Sequence, residues 1–199
     1  MRPRRTARAA WASIWIRRSS RARENAARAG VADRARFAVQ DALRTDLSEA
    51  SVVTIYLLPW LLERLETRLL YELRPGARIV THAFPLGSWP ADRIETVRLT
   101  RPHEGQGDSS RILLHVVPAQ ARGAWRAAGG WAMRIAQNYQ RIDVELEREG
   151  ARVPVREARL EGERIEIAGT GFDFRGRVRG GRIEGALEGA GPLVFDRAP

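Results

Sequence analysis

Residues 72–83, ELRPGARIVTHA, decide how the first half of this chain folds. Pro75 and Gly76 predict that a helix ends at Leu73, because glycine just past a helix and proline beside it are common stop signals. The apolar, β-branched run that follows at residues 79–81 predicts a buried strand. We therefore expect a helix, a turn and a strand in that order.

A second apolar run, SVVTIYLLPW at residues 51–60, precedes this stretch and predicts another strand. Between the two runs, leucines at positions 61, 65, 69 and 73 recur at near-helical spacing. They predict an amphipathic helix over residues 60–73 that packs on a sheet. Strand, helix, turn and strand together form one βαβ unit of a parallel sheet.

The composition describes an ordinary soluble protein, and we expect a cytoplasmic location. The chain has 199 residues, of which 44% are hydrophobic and 29% are charged, enough for a buried core. No apolar run approaches the roughly 20 residues of a membrane helix. The absence of cysteine excludes disulfides and thiolate sites, and His82, His103 and His115 do not cluster, so we expect no metal site.

The net charge of +10 is concentrated at one end of the chain. Residues 1–36 hold eleven arginines against two acids, which leaves about +1 for the other 163 residues. A groove for a phosphate backbone would draw on the folded body as well, so nucleic acid is an unlikely partner. All 34 basic residues are arginine, which we attribute to GC-rich coding rather than to function.

Polar residues follow the predicted strands at the edge where parallel sheets bind ligands. Phe37 and Val39 lie on one face of a short predicted strand, and Asp41 stands at its carboxyl end. A carboxylate there can accept a hydrogen bond from an adenine amino group; the alternative is a solvated aspartate that begins a turn. His82 ends the strand of the opening stretch, and the following Trp89 and Pro90 predict a rigid lid.

The run THAFPLGSWPAD, residues 81–92, is similar to a Ser-His-x-Phe and Gly-x-Trp-Pro pairing in bacterial methyltransferases that resemble protein-lysine methyltransferases. With the order of the elements, residues 21–118 resemble class I S-adenosylmethionine-dependent methyltransferases. The resemblance implies an incomplete Rossmann-like α/β sheet and S-adenosylmethionine as cofactor. It implies methyl transfer to an unknown acceptor, of which a protein lysine amine is one candidate.

The resemblance also implies where the site residues lie. Asp41 would hold adenine with Ala42 beside it, and the run Tyr56-Leu57-Leu58-Pro59 would line the point of transfer. Tyr56 and Leu57 would contact the cofactor, and Tyr56 and Pro59 would be the catalytic residues. In amino-methylating members an acid or asparagine precedes the proline, so Tyr56 either substitutes for that polar residue or packs as a buried strand tyrosine.

One element of this family is missing from the sequence. The family's sheet order is 3-2-1-4-5-7-6, and the first strand with its Gly-rich loop is absent here. Strands three and four would then face an apolar seam with unpaired backbone groups. Residues 11–16 are the candidate for a second strand beside strand three. We expect weak cofactor binding and a weakened or oligomer-prone fold.

Residues 1–20 are atypical, and three interpretations remain open. An arginine-rich, acid-poor start is typical of organellar transit peptides, but it also suits a basic tail. The third interpretation is a shifted reading frame or a mis-set start: GC-rich codons for residues 10–18, read two bases along, can encode Val-Gly-Ile-Asp-Leu-Asp-Pro. That string resembles the family's second strand and its ribose-binding acid.

The remainder of the chain predicts antiparallel structure. Residues 93–100 and 110–117 are expected as two antiparallel strands that finish the first sheet. Residues 122–199 alternate apolar and polar positions between glycine turns, which predicts a small antiparallel β domain. Trp125, Trp131, Phe172 and Phe174 are its expected core.

A different class of function also fits these features. The chain could be a non-catalytic protein- or nucleic-acid-binding module, with the basic N-terminal tail adding electrostatic affinity. A nicotinamide-dependent enzyme is disfavoured because the Gly-rich fingerprint is missing. The acceptor and the oligomeric state stay open, and no membrane partner is expected.

Overall fold

The computed structural model describes residues 11–13, 19–38, 40–100 and 107–198. The chain divides into two compact units, Met1–Ala50 and Ser51–Pro199. Neither helix in the described ranges has the length and apolar character that crossing a membrane requires.

The first unit contains one helix and a two-stranded parallel sheet. Strand β1 (Trp11–Ser13) pairs with β2 (Ala35–Phe37), and helix α1 (Ser19–Arg28) lies between them in sequence. This pairing confirms, over residues 11–13, the strand expected beside strand three. Gly30 follows the helix at φ 65°, a left-handed conformation that glycine adopts without steric cost.

The second unit begins with a four-stranded sheet whose strand order is β3-β4-β6-β5. Strands β3 and β4 are parallel, and β6 is antiparallel to both β4 and β5. The strands and the one helix of this part are β3 (Val52–Ile55), α2 (Pro59–Glu72), β4 (Arg78–His82), β5 (Arg93–Arg98) and β6 (Ser109–Val116). The predicted βαβ unit and antiparallel pair are confirmed.

Helix α2 forms where its leucine pattern predicts it. Leu62, Leu65 and Leu69 are buried on one face, and the helix carries a proline in its first turn, where the missing N–H costs no hydrogen bond. The chain leaves the helix at Leu73 and turns through Gly76 at φ 87°. The Gly76 N–H then donates to the Val117 carbonyl at 2.7 Å.

The rest of the second unit is a nine-stranded antiparallel sheet in the order β10-β9-β8-β7-β15-β14-β13-β12-β11. Strand β9 also contacts β11, so the sheet curves until it nearly closes. Its strands are β7 (Gly123–Ala127), β8 (Trp131–Asn138), β9 (Arg141–Arg148), β10 (Ala151–Val153), β11 (Val155–Glu161), β12 (Arg164–Gly169), β13 (Phe172–Arg179), β14 (Arg182–Leu187) and β15 (Gly191–Arg197).

An aromatic cluster fills the interior of this sheet. The four aromatic residues expected in the core, Trp125, Trp131, Phe172 and Phe174, are all buried, and Phe195 joins them. Phe172 packs between Trp131, with ring centroids 4.7 Å apart, and Phe174, at 5.9 Å. Each such side chain stabilises the fold by about 1.5–3 kcal/mol through burial alone.

Candidate acceptor and cofactor site

The candidate acceptor residues leave the carboxyl end of β3 in an extended conformation. Leu58 has φ −68° and ψ 150°, the conformation favoured before a proline, and Pro59 opens α2. Leu57 is half-buried, while Tyr56 is 70% exposed. The interpretation of Tyr56 as a buried, packing tyrosine is therefore wrong, because its neighbours leave most of the ring open to solvent.

His82 lies beside Tyr56 because parallel strands β3 and β4 end at the same edge of the sheet. The two rings meet edge to face, with centroids 4.6 Å apart and planes at 79°. His82 Nε2 lies 2.6 Å from Ser110 Oγ on β6, and Ser110 is buried. The histidine is thus held between a buried hydroxyl and an exposed phenol, and either neutral tautomer can make the bond to Ser110.

The chain turns sharply directly after His82. Ala83 has φ 67°, a left-handed conformation that costs a residue with a side chain about 1–3 kcal/mol. Its N–H donates to Arg111 O at 2.8 Å, and the Phe84 N–H donates to His82 O at 2.8 Å. Thr81 Oγ1 donates to Phe84 O at 2.8 Å, so three hydrogen bonds fix the turn and leave Phe84 at the surface.

Trp89, expected as part of a lid over the site, is instead a buried core residue. Its indole is 1% exposed and stacks on Tyr139 with centroids 5.2 Å apart. The ring of His115 meets it from another side at 5.7 Å. Burial lowers the pKa of His115, and the carboxylates of Asp92 and Glu66 partly offset that effect.

The candidate adenine residues belong to the first unit. Asp41 is exposed and lies beyond β2, where its Oδ1 accepts a hydrogen bond from the Leu43 N–H at 2.9 Å. Thr45 Oγ1 donates to the Asp41 carbonyl at 2.9 Å, which completes a side-chain-stabilised turn. Locally, Asp41 is thus the solvated aspartate that begins a turn. Its Oδ2, 3.9 Å from Arg44 Nε, remains positioned to accept a further donor.

These residues fit S-adenosylmethionine only in part. The carboxylate of Asp41 suits an amino group of adenine, and the neighbouring Ala42 is buried. Leu57 and Tyr56 offer apolar and phenolic surface in the second unit. In the part of the chain that the structure describes, no three histidine, aspartate or glutamate side chains cluster to hold a metal ion.

Sequence reasoning identified His82 but missed two of the groups around it. Ser110 lies in an ordinary alternating strand, and only its buried face gives it away. Tyr139 stands in a hairpin turn far along the chain, where a tyrosine carries no motif. The concave surfaces of the nine-stranded sheet lie elsewhere, for example a depression of about 580 Å³ between β9, β11 and β12.

Comparisons with known proteins agree with this part of the chain. Residues 4–93 match the family model described as the ANTKMT methyltransferase domain. The protein-lysine N-methyltransferase of Saccharolobus islandicus (strain REY15A) is 42% identical over 60 residues, which is 30% of this chain and 37% of that protein. A lysine N-methyltransferase of Mus musculus, named for an ATP synthase component, is 36% identical over 70 residues, or 35% of this chain and 28% of that protein.

The matched region spans about a third of the length of these curated relatives. A crystal structure of an RNA methyltransferase from Salinibacter ruber in complex with S-adenosyl-L-homocysteine is 38% identical, with a TM-score of 0.46. It covers 55% of this chain and 66% of that one. Over residues 4–93, this chain is a relative of the class I S-adenosylmethionine-dependent methyltransferases.

Proposed function

We propose that this chain acts as an S-adenosylmethionine-dependent methyltransferase with a protein lysine amine as its acceptor. The observation that carries the proposal is the match of residues 4–93 to lysine methyltransferase relatives. The strand order β3-β4-β6-β5 supports it, because it is the order expected for strands 4-5-7-6 of an incomplete Rossmann-like sheet. The two-stranded sheet β1-β2 supports it as strands two and three.

The residues of the chain would work mainly by positioning. When bound, S-adenosylmethionine supplies an electrophilic methyl group. Asp41 would accept a hydrogen bond from the adenine amino group. Tyr56 would accept a hydrogen bond from the acceptor amine through its phenol oxygen, and so orient the nitrogen lone pair. Pro59 fixes the backbone after the phenol, because its ring restricts φ.

A non-catalytic binding module is the second candidate, and the strand pairing favours it. Among the described residues, β3 pairs only with β4, and β1-β2 form a separate sheet. No described strand therefore joins the two parts, and the Gly-rich loop that would hold the methionine end of the cofactor is absent from the sequence. A cytoplasmic location stays a prediction for both candidates.

Methyl transfer to a lysine polymer tests the first proposal directly. The full chain is incubated with S-adenosylmethionine carrying a tritiated methyl group and with poly-L-lysine. Because the chain contains no lysine, labelled methyl-lysine can only come from the polymer. We expect slow transfer, with cofactor binding weaker than micromolar by isothermal titration.

Two variants accompany this assay. Asp41→Asn should weaken cofactor binding, and Tyr56→Phe should slow transfer, whereas exposed Tyr71→Phe serves as the matched tyrosine control. Methyl-lysine formation that is absent at every cofactor concentration would overturn the proposal and leave the binding module. Micromolar binding of S-adenosylmethionine would contradict the expected weak affinity but not the activity.

A further inference from the structure

The segment between β4 and β5 links the candidate acceptor site to the nine-stranded sheet. It starts at the strained turn after His82 and then makes a second turn, in which the Trp89 N–H donates to Leu86 O at 3.0 Å. Leu86 and Trp89 are both fully buried. We call residues 83–90 the bridging loop.

Tyr139 holds the far end of the bridging loop. It lies at the tip of the β8–β9 hairpin with φ 53°, which is rare for a bulky side chain and persists only where other contacts enforce it. Its ring stacks on Trp89 with planes 12° apart. Its hydroxyl lies 2.9 Å from Ser88 Oγ and donates a short hydrogen bond to Glu66.

Glu66 ties the same contact to helix α2. Its carboxylate accepts from Ser88 Oγ at 2.9 Å and from the Ser88 N–H at 3.1 Å, in addition to Tyr139. Burial raises the pKa of Tyr139, and the hydrogen bond to Glu66 raises it further, so the phenol remains a donor at neutral pH. A phenol, a hydroxyl and a carboxylate from three separate segments therefore meet at one point.

This meeting point controls both elements that carry the candidate acceptor residues. Helix α2 begins three residues after Tyr56, and the bridging loop begins directly after His82. Gly87 leaves no alternative packing, because a Cβ there would overlap Glu66 Oε2 and lie 3.0 Å from Glu66 Cδ. A shift at Tyr139 would therefore be passed to α2 and to the loop together.

We propose that Tyr139 is a positioning residue for the methyl acceptor, through which the nine-stranded sheet holds helix α2 and the bridging loop in register. The proposal rests on the proposed methyl transfer, since it assigns Tyr139 a role in presenting the amine to Tyr56 and His82. It gives the appended sheet a task in the reaction: Tyr139 sets the surface on which the lysine side chain lies, without touching it.

The experiment compares Tyr139→Phe with Tyr71→Phe in the full chain. Tyr139→Phe keeps the ring stack and removes the two hydrogen bonds, whereas Tyr71 is an exposed tyrosine of the same helix that Glu66 belongs to. Hydrogen exchange of the bridging-loop amides is measured first. We expect exchange to rise several-fold in Tyr139→Phe and to stay unchanged in Tyr71→Phe.

Transfer kinetics with poly-L-lysine then separate positioning from mere support. We expect KM for the polymer to rise roughly tenfold in Tyr139→Phe, with KM for S-adenosylmethionine and kcat nearly unchanged, because a hydrogen bond to a charged group is typically worth about that factor. Ser88→Ala should show the same pattern more weakly. Urea unfolding of each variant confirms that it folds.

Three outcomes would overturn the proposal, and they are distinguishable. Unchanged exchange in Tyr139→Phe means that the phenol does not hold the loop, whatever the activity. Raised exchange with an unchanged polymer KM means that the contact is structural only. If the wild-type chain transfers no methyl group at all, the proposed function fails, and raised exchange then marks Tyr139 as a docking contact.

Discussion

The two large sheets of the second unit are built in opposite ways. In the nine-stranded sheet nearly every strand pairs with its neighbours in sequence, through tight hairpins, and an aromatic cluster fills the interior. In the four-stranded sheet the order β3-β4-β6-β5 needs a helical crossover, and its outer strand β5 is exposed along its whole length. A sheet of consecutive hairpins is complete within a short stretch of chain, whereas a crossover sheet depends on strands from distant sequence.

The largest expected effect concerns the aromatic core of the nine-stranded sheet. Phe172→Ala should lower the free energy of unfolding by about 3–5 kcal/mol, because it removes a fully buried ring and leaves a cavity against Trp131 and Phe174. Val194→Ala on the outer surface of the same sheet is the control and should cost under about 0.5 kcal/mol. Urea denaturation measures both.

A cost for Phe172→Ala no larger than that of Val194→Ala would break the comparison, since the closed sheet would then not depend on its core. Loss of near-ultraviolet circular dichroism from the tryptophans should accompany the destabilisation. The exposed strand β5 should be affected less, which hydrogen exchange can show.

A smaller effect is expected where the two sheets meet. Gly87→Ala should cost about 1–3 kcal/mol, because the residue has φ 54° and its new methyl group would overlap Glu66. Gly171→Ala is the matched control: it has φ 66°, but nothing lies within 4 Å of its Cβ position. The difference in urea midpoint between the two variants measures the steric part alone, and equal midpoints would show that the bridging loop yields freely.

Acid should weaken the four-stranded side of the molecule through His115. Its ring is fully buried, and among the described residues neither ring nitrogen has a hydrogen-bond partner. Because burial lowers the pKa of His115 in the folded state, the unfolded chain binds more protons below about pH 6.5. The free energy of unfolding should therefore fall as the pH drops below that value, by at most about 1.4 kcal/mol per pH unit.

The control for the acid prediction is a variant without the imidazole. His115→Leu should keep the buried volume and remove this part of the pH dependence between pH 7 and pH 5. His82→Asn, at a half-buried site beside Ser110, should leave the slope largely unchanged. The same slope in wild type and His115→Leu would assign the acid sensitivity to other groups.

Much of the fold could be predicted because its signals are local. Leucine spacing and the Pro75-Gly76 turn predicted α2 and the parallel strands on either side of it, and period-two alternation predicted the antiparallel sheet. Which strands close that sheet could not be predicted, because β7 and β15 are about seventy residues apart and pair through backbone groups alone. Turn glycines mark hairpins but not the partner of an end strand.

The candidate site was harder to predict for a related reason. Asp41, Tyr56 and Pro59 follow strand ends, which the sequence marks, and His82 was visible in the same way. Ser110 and Tyr139 reach the site only through tertiary packing, from positions 28 and 51 residues distant from their partners His82 and Ser88. Burial was also misjudged for Tyr56 and Trp89, since an aromatic residue beside a strand end suits either core or surface.

The smallest expected effect concerns strand β5, the open edge of the four-stranded sheet. Ile94 is 50% exposed there, although edge strands usually avoid exposed apolar side chains because they invite pairing with another chain. Ile94→Thr should change the free energy of unfolding by less than about 0.5 kcal/mol but reduce any self-association seen by sedimentation velocity. Val194→Thr on the nine-stranded sheet, whose strand β15 is paired on both sides, should leave sedimentation unchanged. Equal sedimentation of wild type and Ile94→Thr at high concentration would mean that the charged neighbours Arg93 and Glu95 already protect this edge.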